Sequence, residues 1–135
     1  MSNAPESLYD DLIQTAIDAS KKAYVPYSHY VVGAALQAED GTVFTGCNVE
    51  SAAYSPTICA ERTALVKAIS EGYQQFDQIA VVTRNGGSPC GVCRQFLYEF
   101  SPTMTVIIAD LDGQIHHVMP LTELLPHGFG PSKLE

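Results

Sequence analysis

The feature that most constrains this chain is a pair of short cysteine motifs in separate parts of the sequence. Cys59 is followed two residues later by Glu61, while Cys90 and Cys93 form a Cys-x-x-Cys motif directly after Pro89. Thiolates bind zinc well, and catalytic zinc sites commonly use three protein ligands and leave a fourth position open for water. The sequence therefore predicts one zinc ion held by Cys59, Cys90 and Cys93, and a fold that brings the two motifs together.

Glu61 is the candidate proton carrier of this site. Because it lies two residues beyond Cys59 on a predicted helix, we expect it to point away from the metal ligands and toward the open coordination position. A carboxylate there can take a proton from water and pass it to a ring nitrogen or a departing amine. Taken alone, Glu61 would be interpreted as a solvated helix residue, but its place between two thiol motifs favours catalysis.

Three thiolates on one Zn²⁺ leave a net negative site, so we expect positive charge nearby. Each motif is predicted to lie in the first turn of a helix, where the partial positive charge lowers thiolate pKa values. Arg62 and Arg94 follow the ligands closely and are two of only seven basic residues in the chain. We interpret both as neutralising thiolate charge, with ordinary surface arginines as the alternative.

Cys47 leaves two interpretations of the metal site open. As a fourth ligand it would close the coordination sphere and make a structural zinc module, which needs no carboxylate beside the metal. As a small buried core residue it would leave the site open for catalysis. The presence of Glu61 favours the second interpretation. The four histidines lie in no metal-ligand spacing and are interpreted as structural or surface residues.

Composition narrows the choice of partner and compartment. The 135 residues include 7 Lys and Arg against 15 Asp and Glu, for a formal net charge of −8. Nucleic acid polymers are bound through basic surfaces that neutralise phosphates, so a small uncharged substrate is favoured instead. No apolar run approaches the roughly 20 residues of a membrane span. Four cysteines without a signal-like N-terminus favour a cytoplasmic location.

The order of predicted elements favours an α/β fold with a single domain over residues 1–135. Apolar spacing indicates a helix over residues 5–24, strands at 31–37 and 42–46 around Asp40-Gly41, and a helix over 56–71 that starts at Pro56. A strand at 78–83, a helix from Pro89 to about Phe100, strands at 104–109 and 114–118 around Asp112-Gly113 and a short helix at 121–125 follow. Helices between the middle strands and hairpins at both ends predict a three-layer α-β-α sandwich with a mixed five-stranded sheet.

Short runs along most of the chain carry a family resemblance. They lie at residues 25–28, 32–36, 46–54, 59–64, 89–95, 124–126 and 129–130. Together they resemble the small homotetrameric, zinc-dependent cytidine deaminases over about residues 20–130. This resemblance implies a cytidine deaminase-like fold and hydrolytic deamination of cytidine and deoxycytidine to uridine and deoxyuridine, with release of ammonia, in pyrimidine salvage.

The resemblance also implies roles for individual residues. Asn48 and Glu50, which would otherwise be interpreted as loop residues, are expected to hydrogen-bond the ribose hydroxyls. Tyr30, where the family usually has Phe, is expected to pack against the pyrimidine, and the backbone N–H of Ala60 to contact the pyrimidine carbonyl. Phe129 matches a C-terminal Phe that reaches a neighbouring subunit's site in the family's tetramers. The resemblance thus implies a homotetramer with shared active sites.

Two other functions remain open at this point. Deaminases of aminonucleoside antibiotics of the blasticidin type share the zinc motifs, but they usually lack the full Asn-x-Glu-x-Ala-x-Tyr pattern that this chain carries at residues 48–54. A non-catalytic structural zinc module with Cys47 as fourth ligand belongs to a different class. Glu61 is the residue that separates that module from an enzyme.

Overall fold

The computed structural model describes residues 4–134 and shows the predicted order of helices and strands. Helix α1 spans Ala4–Ser20 and precedes the hairpin of β1 (Gly33–Ala38) and β2 (Val43–Cys47). The middle of the chain forms α2 (Ala60–Ser70), β3 (Phe76–Thr83) and α3 (Gly91–Phe100). The last elements are β4 (Thr105–Asp110), β5 (Ile115–Pro120), α4 (Leu121–Leu124) and a 3-10 turn at Pro131–Leu134.

The five strands form one mixed sheet in the order β2-β1-β3-β4-β5. Strands β3 and β4 pair in parallel, whereas the β1–β2, β1–β3 and β4–β5 pairs are antiparallel. The two predicted Asp-Gly turns close the hairpins, and Gly41 and Gly113 have φ values of 93° and 86° there. Glycine adopts such positive φ values without the steric cost that other residues meet.

Helix α1 covers one face of the sheet, and α2 and α3 cover the other. Alternate residues of the strands divide between two apolar clusters, so that Val82 and Ile107 pack toward α1 while Val81 and Ile108 pack toward α2 and α3. At Gly46 a Cβ atom would lie 2.2 Å from the carbonyl oxygen of Ala60. The absence of a side chain at Gly46 therefore lets the first turn of α2 sit directly on β2.

Helix α1 is shorter than the predicted helix over residues 5–24. Beyond Ser20, the N–H groups of residues 21–23 bond to carbonyls three residues back, which is turn geometry. Leu8, which belongs to the apolar spacing of this helix, is 71% exposed. Of the helices within residues 4–134, none has both the length and the apolar character to cross a membrane.

Helix α2 begins at Ala60, later than the predicted start at Pro56. Val49 and Ile58 exchange backbone hydrogen bonds of 3.0 and 2.9 Å in an antiparallel bridge, which keeps the chain extended up to Ile58. Residues between them form turns that hold Pro56 outside the helix. The bridge fixes the loop after β2 against the start of α2, where the first cysteine motif lies.

Candidate active site

Three cysteine sulfurs converge where α2 and α3 begin. The Sγ atom of Cys59 lies 3.8 Å from that of Cys90, which in turn lies 3.5 Å from the Sγ atom of Cys93. All three sulfurs lie within 4.8 Å of one another. A tetrahedral zinc ion with Zn–S bonds of about 2.3 Å separates its sulfur ligands by roughly 3.8 Å. The donor atoms and their spacing therefore fit zinc, with a fourth position left for another ligand.

The cysteines take helix positions slightly different from those predicted. Cys59 and Cys90 are the N-cap residues of α2 and α3 and do not lie in the first turns, whereas Cys93 does. The sulfur of Cys90 accepts a hydrogen bond of 3.5 Å from the N–H of Cys93, in place of the oxygen of a usual N-cap side chain. Because an N-cap group sits at the positive end of the helix dipole, the expected electrostatic support for thiolates is kept.

The three thiols influence one another's ionisation. A hydrogen bond from Cys93 lowers the pKa of the Cys59 thiol, and Arg62, whose Nη2 lies 3.5 Å from the Cys59 sulfur, lowers it further. The same contact with Cys59 raises the pKa of the Cys93 thiol. Thiolates this close repel one another, so a cation among them is needed for all three to ionise. Arg62 thus contacts the sulfur of Cys59, and its role in neutralising thiolate charge stays a prediction.

Arg94 does not take the role predicted for it. Its guanidinium donates hydrogen bonds to the carbonyls of Pro89 and Leu124 and to the hydroxyl of Ser88, at 2.7, 2.8 and 2.8 Å. These oxygen acceptors surround the side chain, and the planar fork of donors is directed at them instead of at a thiolate. Arg94 therefore ties the segment that leads into Cys90 to the end of α4, and the prediction that it neutralises thiolate charge is wrong.

Glu61 lies in the first turn of α2, with only 3% of its surface exposed. Burial raises the pKa of its carboxyl group to about 7, and the charge of the neighbouring Cys59 thiolate acts in the same direction. A group with a pKa close to neutral both accepts and releases protons readily near pH 7. The structure thus gives Glu61 the burial and the proton affinity of a general acid and base.

A cavity of about 430 Å³ joins Cys59, Cys90 and Glu61 to three of the predicted substrate-binding residues. This volume is typical of sites for small molecules. Its walls include Tyr30, Asn48, Glu50, Cys59, Glu61 and Cys90. In the part of the chain that the structure describes, no Lys, Arg or His side chain lines the cavity. The lining therefore suits a neutral polar ligand and opposes an anionic one.

Asn48 supports the cavity wall through both ends of its buried carboxamide. Its Oδ1 accepts a hydrogen bond of 2.9 Å from the N–H of Val32, and its Nδ2 donates one of 2.8 Å to the carbonyl of Tyr30. These two bonds hold the segment before β1 beside the loop that follows β2. Asn48 is therefore both a wall of the cavity and the support of Tyr30.

Glu50 is held in place by the segment that precedes β1. One carboxylate oxygen accepts hydrogen bonds of 3.1 and 3.2 Å from the N–H groups of Tyr27 and Ser28, and the other accepts a hydrogen bond from the hydroxyl of Ser28. The Ser28 hydroxyl is the largest cause of a lowered pKa for this carboxyl, followed by the two N–H groups. Sequence reasoning missed Ser28, because 22 residues separate it from Glu50.

Ala60 and Phe129, both predicted to bind substrate, are not part of the cavity lining. Ala60 is the first residue of α2. The first hydrogen bond of this helix runs from the N–H of Thr63 to the carbonyl of Cys59, so it does not involve the N–H of Ala60. Phe129 lies beside α3 and is 53% exposed. Its backbone carbonyl and N–H form hydrogen bonds with the side-chain amide of Gln95. Phe129 is therefore directed away from the cavity of its own chain.

Cys47 ends strand β2 and takes no part in the group of sulfurs. Within residues 4–134, only Cys59, Cys90 and Cys93 come close enough together to hold a metal ion as a group. Cys47 is half-buried, so it is not the fully buried core residue that the sequence predicted. The geometry favours a site with three thiolate ligands over a closed site with four.

Comparison with known proteins agrees with this geometry. Residues 6–109 match the family described as the cytidine and deoxycytidylate deaminase zinc-binding region. The chain belongs to this deaminase family. Cytidine deaminase from Sporosarcina psychrophila is 48% identical over 128 residues, which are 93% of each chain. Cytidine deaminase from Halalkalibacterium halodurans is 50% identical over 121 residues, 87% of this chain and 91% of the other.

Solved structures of cytidine deaminases share the fold. The enzyme from Burkholderia pseudomallei is 47% identical, with a TM-score of 0.84 over 88% of this chain and 97% of the other. The enzyme from Mycobacterium tuberculosis is 37% identical, with a TM-score of 0.79 over 90% of this chain and 97% of the other. The predicted family, the α/β fold and zinc as the cofactor of this deaminase are thereby confirmed.

The three-sulfur arrangement predicts which cysteines the deaminase needs for its metal. We expect Cys90→Ser to lose its zinc, because two sulfurs remain, and Cys47→Ser to keep the zinc content of the parent. The measurement is zinc per chain by atomic emission, on protein purified without added chelator. Equal loss of zinc from both variants would show a closed site with four cysteines.

Proposed function

We propose that this protein catalyses the zinc-dependent hydrolytic deamination of cytidine and deoxycytidine to uridine and deoxyuridine, with release of ammonia. The observation that carries this proposal is the buried carboxyl of Glu61, which lines a cavity of small-molecule size together with Cys59 and Cys90 of the three-sulfur group. Relatives named cytidine deaminase that are 48% and 50% identical support the same reaction. We place the reaction in pyrimidine salvage and, because thiolate ligands need a reducing compartment, in the cytoplasm.

The chemistry divides between the metal and Glu61. Cys59, Cys90 and Cys93 would hold zinc, which when bound supplies a Lewis acid that lowers the pKa of water. Glu61 takes one proton from water and delivers it to the ring nitrogen next to C4, while the water oxygen forms a bond to C4. It then takes the second proton from the hydroxyl on C4 and delivers it to the amine, so that the C4–N bond breaks, the C4 carbonyl forms and ammonia departs. A pKa of about 7 lets the same carboxyl act in both directions.

The remaining cavity residues bind and orient the nucleoside. Glu50, kept ionised by its hydrogen bonds, accepts hydrogen bonds from the ribose hydroxyls. One hydrogen of the Asn48 Nδ2 is bonded to the carbonyl of Tyr30, and the other is donated to the ribose. The ring of Tyr30 packs against the pyrimidine. Ala60 does not line the cavity, but its neighbours Cys59 and Glu61 do, and we propose that the N–H of Ala60 contacts the pyrimidine carbonyl when substrate is bound. These groups are held by backbone contacts before substrate arrives, which lowers the entropic cost of binding.

We propose further that the active enzyme is a homotetramer whose sites are completed by neighbouring subunits. Val92 and Phe129 are 62% and 53% exposed and line one groove with Phe96 on the outer side of α3. The hydrogen bonds of Gln95 hold the backbone of Phe129 in an ordered position, so its ring is presented to solvent. An exposed aromatic residue on a fixed support suits a contact with another copy of the chain.

Glu61 is expected to be essential for turnover. Glu61→Ala should keep its zinc and its thermal unfolding temperature but lose at least about 10²–10⁴-fold in kcat, the usual contribution of general acid–base catalysis. The check is the change in ultraviolet absorbance of cytidine. Glu71→Ala, at the exposed end of the same helix, is the control and should behave as the parent does. Activity of Glu61→Ala within roughly tenfold of the parent would contradict the assigned role.

The few polar groups of a mostly apolar cavity, with Glu50 and Asn48 among them, predict a preference for nucleosides. Free cytosine should be the poorer substrate because Glu50 and Asn48 have no ribose to bind. Deoxycytidylate should be poorer than deoxycytidine because no basic side chain of the described chain lines the cavity to pair with its phosphate. We expect kcat/KM at least about tenfold lower in each comparison, as lost hydrogen bonds and an unpaired charge imply. Equal kcat/KM values for cytosine and cytidine would leave Asn48 and Glu50 with a structural role alone.

The proposed assembly makes activity depend on protein concentration. Activity should be lost when the protein is diluted until light scattering detects only monomers. Phe129→Ala should raise KM because a neighbouring site loses an aromatic wall. Leu134→Ala, a more exposed apolar residue in the same tail, serves as the control and should leave KM unchanged. A fully active monomer would reject both the tetramer and the role of Phe129.

A further inference from the structure

The hydroxyl of Tyr30 connects the aromatic wall of the cavity to the loop at residues 84–88. It donates a hydrogen bond of 2.7 Å to Oδ1 of Asn85, across a sequence separation of 55 residues. The hydroxyl of Thr83 lies 3.4 Å from the same oxygen and accepts a hydrogen bond of 2.8 Å from the N–H of Gly87. The side-chain oxygen of Asn85 thus meets the hydroxyls of both Tyr30 and Thr83. These contacts tie the loop to the segment before β1 and to the end of β3.

Two further contacts surround the side chain of Tyr30, one at its ring and one at its hydroxyl. The guanidinium carbon of Arg84 lies 4.8 Å from the centroid of the Tyr30 ring, within the range of a cation–π interaction. A Cβ atom at Gly87 would lie 2.9 Å from the Tyr30 hydroxyl oxygen, whereas the next nearest atoms are 3.8 Å away. Gly87 therefore leaves the space that the hydroxyl occupies.

The loop matters to the site because of what lies at its end. Gly87 and Ser88 line the cavity together with Tyr30, and Cys90 follows two residues later. Ser88 is also held by Arg94, as described above. The contact between Tyr30 and Asn85 consequently joins two walls of the same cavity, one on the segment before β1 and the other on the loop after β3.

We infer that Asn85 is a positioning residue for nucleoside binding, which fixes the Tyr30 ring and the loop at residues 84–88 relative to each other. This inference rests on the proposed function, because it assigns Asn85 a part in binding cytidine. In the proposed complex the ring of Tyr30 packs against a face of the base, away from the C4–N bond that breaks, so its contact is the same in the ground state and the transition state. Loss of its support therefore weakens substrate binding and leaves the chemical step almost unchanged.

The first test separates KM from kcat. Tyr30→Phe and Asn85→Ala should each raise KM for cytidine about three- to tenfold, the range of one lost hydrogen bond, with kcat within about twofold of the parent. Asn85→Asp keeps the acceptor oxygen and should restore the parental KM. Tyr9→Phe removes a hydroxyl on the α1 side of the sheet and is the matched control.

The second test uses the space at Gly87. In the parent, Gly87→Ala displaces the Tyr30 hydroxyl and should raise KM by a similar factor. In the Tyr30→Phe background the nearest atoms lie at ordinary contact distance, so the same change should raise KM by less than about twofold. Zinc content and thermal unfolding temperature are measured for every variant and should match the parent.

Three results would overturn the inference while the proposed function stands. The first is a parental KM in both Tyr30→Phe and Asn85→Ala. The second is an equal rise in KM when Gly87→Ala is made in the parent and in the Tyr30→Phe variant. The third is a fall in kcat together with loss of zinc. The last result would assign the contact to the metal-binding loop alone. A zinc-loaded parent that does not convert cytidine would instead overturn the proposed function, and this inference with it.

Discussion

The mutual approach of three cysteine sulfurs is the constraint on which the rest of the structure depends. Thiolates within 4.8 Å of one another repel unless a cation lies among them, so the fold must hold them together by other means. The starts of α2 and α3 are fixed for this purpose by contacts outside the sulfurs. Gly46 lets α2 rest directly on β2, and Arg94 ties the segment before α3 to the end of α4.

Two carboxylates in one cavity have opposite environments, and this difference separates their roles. Burial raises the pKa of Glu61, which prepares it to carry protons, whereas the hydroxyl of Ser28 and two backbone N–H groups lower the pKa of Glu50. The charged form of Glu50 is therefore stabilised for hydrogen bonding with hydroxyl groups. In the proposed reaction, the same residue type thus serves acid–base chemistry in one environment and recognition in the other.

Predictions from the sequence succeeded where the deciding interactions are local. The Asp-Gly turns close both hairpins because glycine adopts the positive φ they need, and hairpins at both ends with helices between the middle strands give the predicted mixed sheet. The start of α2 was predicted too early, because the bridge between Val49 and Ile58 keeps the preceding segment extended. Nothing in the residues around Pro56 reveals that bridge, since its two strands come from opposite sides of a loop.

The sequence by itself determined the chemistry of the site, because thiolate and carboxylate groups at close spacing define a metal-binding and proton-carrying set. The tertiary structure decided which distant groups support that set. The side chains of Ser28, Tyr30 and Arg94 find their partners 22, 55 and 30 residues away, and Arg94 leaves the thiolates to Arg62. A hydrogen bond forms only over about 3 Å, and such proximity between distant segments arises from how the strands pair and how the helices pack on the sheet.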